Sequence, residues 1–188
     1  MDKELSDFIE KTVKSAVDTA VEKRVQEILK ESRDSQNRAA IIASKGTLDM
    51  AYPPLILAST AAALNIQTSI YFTFYGLNII HKKKNAYLQV APVGNPAMPI
   101  PIPNLIGMLP GMTPMATLMM RKWMGAENVP TIPELLDLCI DGGVKLIGCQ
   151  MSMNVMGIKR EDLIDQIEVG GAAAFLDYAS QCNITLFI

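Results

Sequence analysis

The feature that most constrains this chain is the alternation of short apolar runs with helical segments from residue 38 onward. Four runs cover residues 39–44, 67–74, 144–148 and 184–188, and a shorter fifth covers 167–169. Short runs that are apolar, or rich in β-branched and aromatic residues, are typical of buried strands. Because helical crossovers join parallel strands, the pattern predicts an α/β fold with a parallel sheet of about five strands and helices on both faces.

The connections between these runs carry helix signals. A capping box of Thr131 and Glu134 begins one helix, and the glycine pair at 142–143 is expected to end it. The Pro53-Pro54 pair suits the first turn of a helix that runs to Leu64. Further helices are predicted over residues 77–83, 113–124, 157–164 and 171–181.

The N-terminal segment differs from the rest of the chain. Residues 1–45 hold 18 of the 36 charged residues, whereas residues 50–80 and 85–120 hold none. A helix is predicted from Asp2 to about Arg33, with an apolar residue at every fourth position: Leu5, Ile9, Val13, Val17, Val21, Val25 and Leu29. This repeat drifts by about 40° per turn, which suits a curved surface or neighbouring subunits better than a straight coiled coil. A partly ordered, solvated extension is the alternative. We therefore divide the chain into an N-terminal helix and linker, 1–37, and an α/β domain, 38–188.

An uncharged insertion interrupts the α/β pattern at about residues 85–124. Seven prolines between residues 91 and 114 exclude regular structure from much of it. So long an excursion favours a functional or interface role. Neither uncharged stretch provides the roughly 20 unbroken apolar residues of a spanning helix, so membrane association is not favoured.

Charge and cysteine content narrow the function classes. The net charge of −2 offers no basic face for duplex nucleic acid, so no nucleic-acid partner is expected. The first residues, Met-Asp-Lys-Glu, do not resemble a secretory signal, and three scattered cysteines do not make a disulfide framework. These features predict a cytoplasmic protein with free thiols.

Reactive groups of an open parallel sheet collect beyond the carboxyl ends of its strands. Three loops qualify, at residues 44–47, 73–76 and 149–153, and Cys149 is the strong nucleophile among them. A thiol between a strand end and a helical turn meets unpaired backbone N–H groups, which favour the reactive thiolate. Ser152 is placed to cap that turn and to donate to the sulfur. The alternative is that Cys149 is a small buried apolar residue.

The other candidates favour structural roles. Cys139 lies inside the capped helix and is expected in the core or a subunit contact, and Cys182 is expected to pack before the last strand. His81 is the single histidine and no Cys-x-x-Cys spacing occurs, so no metal is expected. The glycines lack a phosphate-binding spacing, and no cofactor is expected.

Methionine is unusually abundant, with twelve residues against one tryptophan. Methionine suits surfaces that bind varied partners and also irregular cores, and a methionine copper site is a third interpretation. Ten of the methionines lie within residues 98–156: Met98, Met108, Met112, Met115, Met119, Met120, Met124, Met151, Met153 and Met156.

Four segments in this order resemble one known family, the DsrE/DsrF/DsrH-like proteins. They are SKGTLDMAYPP at 44–54, YFTFYGL at 71–77, GMLPGMTP at 107–114 and GCQMSMNVMG at 148–157. Within that family, the chain most resembles the larger branch, which has a Met- and Pro-containing insertion. The resemblance covers about residues 39–188 and leaves the N-terminal helix unexplained.

The resemblance implies a flavodoxin-like, three-layer α/β fold, assembly into oligomers, and a cysteine that carries sulfane sulfur as a persulfide. It makes Cys149 the carrier residue and TusA-like sulfur carriers the expected partners. Lys45 would stabilise the negative sulfur if its loop lies beside Cys149. The predicted pocket is formed by Gly148, Gln150, Met151, Ser152, Met153, Ser44, Lys45, Gly46, Thr73, Tyr75 and Gly76.

The leading functional hypothesis is a sulfur carrier or sulfurtransferase that passes sulfur from Cys149 to an acceptor protein thiol. The alternative is a non-catalytic oligomeric binding or scaffold module whose Met-rich surface faces partners or a membrane. Because residues 50–120 carry so much uncharged surface, we also expect a homo-oligomer in which the insertion walls the thiol pocket.

Overall fold

Five parallel strands form one sheet within residues 2–91 and 111–188, the part of the chain that the computed structural model describes. The spatial order is β4-β3-β2-β1-β5, and every neighbouring pair is parallel. This sheet confirms the predicted α/β class. The strands are β1 (Arg38–Ala43), β2 (Gln67–Phe72), β3 (Lys145–Cys149), β4 (Glu168–Gly170) and β5 (Ile184–Phe187).

Helices cover both faces of the sheet, as the sequence predicts. Helices α2 (Leu48–Ala63) and α4 (Ile132–Asp141) pack together over one face. Helix α6 (Ala172–Ala179) covers part of the other face, where the ring of Phe175 stacks on that of Tyr71. Successive side chains of a strand point to opposite faces, so each strand contributes to both layers of the core.

Two further helices complete the α/β domain. Helix α3 (Met112–Ala126) places Met120 and Met124 against the core on the α2 side. Helix α5 (Gln150–Met156) begins directly after β3. The capping box of Thr131 and Glu134 is present at the start of α4, and Gly143 follows that helix with a φ of +74°.

The N-terminal helix α1 runs from Asp2 to Gln36 without a break. Met1–Asn37 and Arg38–Ile188 are separate compact units. The apolar stripe from Val13 to Leu29 is exposed within its unit. The side chains of Leu5 and Ile9, which extend the predicted stripe, lie outside those described.

The Pro53-Pro54 pair does not lie in the first turn of its helix, and that prediction is wrong. Helix α2 begins at Leu48, because the amides of Met50 and Ala51 already donate to the carbonyl of Thr47. Each proline therefore lacks one interior helical hydrogen bond. Burial offsets this loss, since Ala51, Leu55 and Ala58 on the same helix are fully buried.

The helices predicted at 77–83 and 157–164 are also wrong, for one shared reason. Lys82 donates its amide to the carbonyl of Asp162, and Ile164 donates to Ile80, so the two segments pair with each other instead of coiling. Turns of 3₁₀ helix remain at Phe74–Asn78, Asn85–Tyr87 and Arg160–Asp162. Gly157, with a φ of +65°, ends α5 and starts the second segment.

The proline-rich core of the insertion, including Met98 and Met108, lies outside the described residues. The other methionines divide between core and surface: Met153 is buried, whereas Met115 and Met151 are exposed. Among the helices that the structure describes, none has both the length and the apolar character needed to cross a membrane.

Candidate functional site

Cys149 is the last residue of β3 and lies at the carboxyl edge of the sheet. Its side chain points to the α6 face, where it joins Tyr71, Ile147 and Phe175 in a small apolar cluster. Only 4% of the residue is exposed. The thiol therefore lies just beneath the surface at the edge where parallel sheets bind ligands.

The sulfur caps the first turn of α5. The backbone N–H of Ser152 donates to Sγ of Cys149 at 3.5 Å. The sequence predicted Ser152 as the cap, but the roles are reversed, because Cys149 is the last strand residue and its side chain faces the first helical amides. The Ser152 hydroxyl instead bonds the Thr73 hydroxyl at 2.9 Å, which links α5 to the end of β2.

Tyr71 completes the polar surroundings of the sulfur. It lies on β2 opposite Ile147, two residues before Cys149 on the neighbouring strand, and its side chain shares the same face. Among the described residues its buried hydroxyl has no aligned hydrogen-bond partner, although it is close enough to the thiol to influence its titration.

These groups lower the pKa of the Cys149 thiol. Burial alone would raise this pKa, but the amide and hydroxyl of Ser152 and the nearby hydroxyls of Tyr71 and Thr73 outweigh it and hold the pKa below its ordinary value. Hydroxyl and amide donors favour the charged sulfur and therefore the nucleophilic form. Near neutral pH, a larger fraction of Cys149 is therefore thiolate than in an ordinary cysteine.

The two other thiols do not share this environment. Burial raises the pKa of Cys139 to about 12, and its thiol donates to the carbonyl of Leu55 at 3.5 Å. Cys139 packs on the α2 face, so the sheet separates it from Cys149. Burial also raises the pKa of Cys182, which precedes β5 near the opposite, amino edge of the sheet. All three cysteines are free.

The predicted residues of α5 have different positions. Gln150 is exposed and donates to Asn154 at 2.9 Å, and Met151 is exposed as well. Met153 is buried in the core on the α2 side, away from the sulfur. Gly148 faces the same core, beside Leu77, Leu163 and Ile167.

The loops after β1 and β2 are tightly packed against each other. A Cβ on Gly76 would lie 2.0 Å from the carbonyl oxygen of Ala43, and one on Gly46 would lie 2.1 Å from that of Tyr75. Ser44 accepts from the amide of Gly76 and donates to the carbonyl of Ile188. These residues fix the edge of the sheet, while Tyr75 itself is exposed.

Lys45 is exposed, and among the described residues it has neither a hydrogen bond nor an ion pair. It is also not one of the groups that shift the pKa of Cys149. Stabilisation of the sulfur comes from neutral hydroxyls and an amide instead of a cation.

Sequence reasoning missed Tyr71 as a site residue, although a signal was present. Strand residues two apart share a face, so Tyr71 lies on the same face as Thr73 and points to the same layer as Cys149. The strand-end rule placed Thr73 at the site, and the two-residue periodicity of the strand then also selects Tyr71.

No group of three His, Cys, Asp or Glu side chains within residues 2–91 and 111–188 is arranged to hold a metal ion. The arrangement around Cys149 is suited to thiolate chemistry, since every polar group near the sulfur is a neutral hydrogen-bond donor.

The fold and the site together define a parallel α/β protein whose distinctive reactive group is a buried, hydroxyl-supported thiol at the carboxyl edge of the sheet. A model of the DsrE/DsrF/DrsH-like family matches residues 35–187. The chain therefore belongs to this family, as the four sequence segments predicted.

This chain matches two relatives over nearly the whole length of each relative. A protein of Allochromatium vinosum named "Sulfur carrier protein DsrE2" is 47% identical over 159 residues, which is 81% of this chain and 99% of that protein. A Bacillus subtilis protein, "Uncharacterized protein YrkE", is 31% identical over 165 residues, 82% of this chain and 99% of that protein. The crystal structure of the YchN protein from E. coli aligns with a TM-score of 0.49 at 11% identity, covering 81% of this chain and all of that one.

Proposed function

We propose that this protein carries sulfane sulfur as a persulfide on Cys149 and transfers it to the thiol of an acceptor protein. The observation that carries the proposal is the Cys149 thiol itself, buried at the sheet edge with its pKa held low by Ser152, Tyr71 and Thr73. Similarity to the sulfur carrier of A. vinosum supports the same role.

The transfer requires no oxidant. The Cys149 thiolate attacks the outer sulfur of a donor persulfide, so a new S–S bond forms as the donor S–S bond breaks, and the donor leaves as a thiolate. An acceptor thiolate then attacks the outer sulfur now held on Cys149, and Cys149 leaves as the thiolate. The hydrogen bonds that lower the Cys149 pKa favour both the attacking and the leaving form.

Acceptor and donor proteins are expected to approach over the two elements that surround the thiol. The 3₁₀ turn after β2 exposes Phe74 and Tyr75, and α5 exposes Met151 and Val155. Exposed apolar groups next to a functional residue are typical of binding surfaces. This surface supports small carrier proteins, including TusA-like ones, as partners.

Mass spectrometry after incubation with inorganic polysulfide tests the proposal. We expect mass increases of one sulfur atom on the peptide that contains Cys149, and their loss after a small thiol acceptor is added. A Cys149→Ser variant should not load, whereas Cys182→Ser, the matched control, should load as wild type. Equal loading of the Cys149→Ser variant would refute the proposal.

The non-catalytic binding module is the rival function, and the exposed apolar face of α3 favours it. Met115, Leu118, Met119 and Trp123 lie exposed on this helix. This rival expects a Cys149 pKa at or above the ~8.5 of free cysteine. It also expects partner binding that survives Cys149→Ser.

A further inference from the structure

The Tyr71 hydroxyl differs from the other polar groups at this site, because it has no aligned hydrogen-bond partner among the described residues. Tyr71 is 5% exposed, and its hydroxyl oxygen is buried without an aligned partner among the described residues. Buried tyrosine hydroxyls normally have a hydrogen-bond partner. An exception next to a nucleophile suggests that the partner is a form of the nucleophile itself.

The sheet fixes where this hydroxyl lies. Tyr71 pairs in register with Ile147, and Cys149 is two residues further along β3 on the same face. Two residues of rise and one inter-strand spacing separate the Cβ atoms by about 8 Å, a span that a tyrosine side chain covers. Stacking on Phe175, with ring centroids 4.8 Å apart, holds the ring in this orientation.

The neighbouring hydroxyls are already engaged with each other. Ser152 and Thr73 share one hydrogen bond of 2.9 Å, so one of their two protons is used in that contact. The proton of Tyr71 has no competing acceptor among the described residues. One proton of the Ser152–Thr73 pair also stays free, but Tyr71 is the one of the three hydroxyls that takes part in no hydrogen bond among the described residues.

We propose that Tyr71 donates a hydrogen bond to the anionic sulfur of Cys149, both to the thiolate and to the outer sulfur of the persulfide. The part concerning the persulfide rests on the proposed function. The outer sulfur of the persulfide is a second acceptor beyond Sγ. It would give the buried Tyr71 hydroxyl the hydrogen-bond partner that it lacks beside the resting thiol. Burial also raises the pKa of Tyr71, so its proton stays on the oxygen and is donated without being transferred.

The pH dependence of iodoacetamide alkylation at Cys149, read from its peptide by mass spectrometry, tests the inference. In Tyr71→Phe we expect the Cys149 pKa to rise by about one unit, which lowers the alkylation rate below that pKa roughly tenfold. The matched control is Tyr178→Phe, on the same face of the sheet, whose hydroxyl donates to the carbonyl of Gln67 at 2.9 Å. The control should keep the wild-type profile.

A second variant keeps the packing and changes only the donor strength. Replacing Tyr71 with 3-fluorotyrosine makes the hydroxyl more acidic, so the Cys149 pKa should fall, opposite to its change in Tyr71→Phe. A Cys149 pKa that is unchanged in both variants would overturn the inference. If Tyr71→Phe does not fold, an unchanged Cys149 pKa in the fluorinated variant alone would overturn it.

The pKa of the persulfide on the loaded protein provides a separate test. Titration of the ultraviolet absorption of the loaded protein should show the persulfide pKa shifting upward in Tyr71→Phe. If wild-type Cys149 takes up no sulfur, the proposed function fails, while the alkylation profile still decides whether Tyr71 donates to the thiolate. An unshifted persulfide pKa in a variant that loads would overturn the persulfide part.

Discussion

Two buried cysteines of this protein have thiol pKa values that are shifted in opposite directions. Cys139 and Cys149 are both buried, yet the pKa of Cys139 is raised to about 12 while that of Cys149 is lowered. The difference lies in the donors, because Cys139 is surrounded by apolar side chains and Cys149 by hydroxyls and an amide. Burial therefore makes a thiol inert when too few donors stabilise its charge, as at Cys139.

Selective alkylation of the folded protein should reveal this difference. At about pH 7.5, below the pKa of about 8.5 of an ordinary cysteine, iodoacetamide should modify Cys149 while Cys139 stays unmodified. In denaturant both should react at the rate of an ordinary cysteine. The measurement is peptide mass spectrometry over time, and modification of Cys139 in the folded state would contradict the assignment.

Ser152→Ala should raise the pKa of Cys149. The variant keeps the backbone N–H that donates to Sγ but removes the side-chain contribution and the 2.9 Å bond to Thr73. Because the lost group favours the thiolate, the alkylation profile should move to higher pH by about half a unit, roughly threefold in rate. Ser180→Ala, which removes a hydroxyl that donates to the carbonyl of Asp177, is the control and should show no shift.

Between elements, the contact of the two strand-end loops sets the geometry of the sheet edge. Gly76→Ala would place a Cβ 2.0 Å from the backbone oxygen of Ala43, and backbone cannot move aside as a side chain can. We expect a loss of about 3 kcal/mol in the free energy of unfolding, at the upper end for overpacking.

Gly171→Ala is the matched control for this substitution. Gly171 has a φ of −84° and no atom within 4 Å of the position of a Cβ. Chemical denaturation of both variants should show a large shift in midpoint for Gly76→Ala and almost none for Gly171→Ala. Similar midpoints would mean that the two loops separate at little cost.

The elements that sequence predicted well are those that local residues specify. The strands at 39–43 and 145–148 follow from their apolar character, and α4 follows from its capping box. The segments at 77–83 and 157–164 failed because their backbone groups bond each other across about 80 residues, as Lys82 does with Asp162. No local pattern records such a partner.

The same limit applies to the site. Cys149 and Ser152 are three residues apart in sequence, and the strand-end rule found Thr73. The relevance of Tyr71 depends on the register of β2 with β3, which places it diagonally across from Cys149. The residue pattern predicts which side chains face each side of the sheet. The register between neighbouring strands decides which of those side chains contact each other.

For the whole molecule, the exposed apolar face of α3 bears on assembly. Met115, Leu118, Met119 and Trp123 lie on one helix at spacings of three and four residues, which places them on neighbouring positions of its surface. Exposed apolar patches of this kind are uncommon on monomers. We expect this face to form part of a contact between copies of the chain.

Leu118→Glu should weaken that self-association, because it places a charge within the apolar face. The control is Lys83→Glu, which changes the charge of an exposed residue outside this helix. Multi-angle light scattering at micromolar concentration should show a lower mass for Leu118→Glu alone. A wild-type mass near 20.5 kDa, that of one chain, would refute the expectation.

Removing residues 1–33 should also weaken association and leave persulfide loading intact. The α/β unit Arg38–Ile188 contains the complete sheet and Cys149 with its hydroxyl neighbours. Light scattering and polysulfide loading of the truncated chain measure the two properties separately. Loss of loading on truncation would mean that α1 contributes to the site.

The position of β5 beside β1 has a consequence for the order in which the chain acquires its structure. Ser44, at the end of β1, bonds the carbonyl of Ile188, 144 positions later. During synthesis β1 emerges early, yet one of its two hydrogen-bonding edges stays open until residues 184–187 have left the ribosome. An open strand edge invites pairing with other chains, and closing so long a loop is slow. We therefore expect the nascent protein to need chaperones most in the interval before β5 emerges.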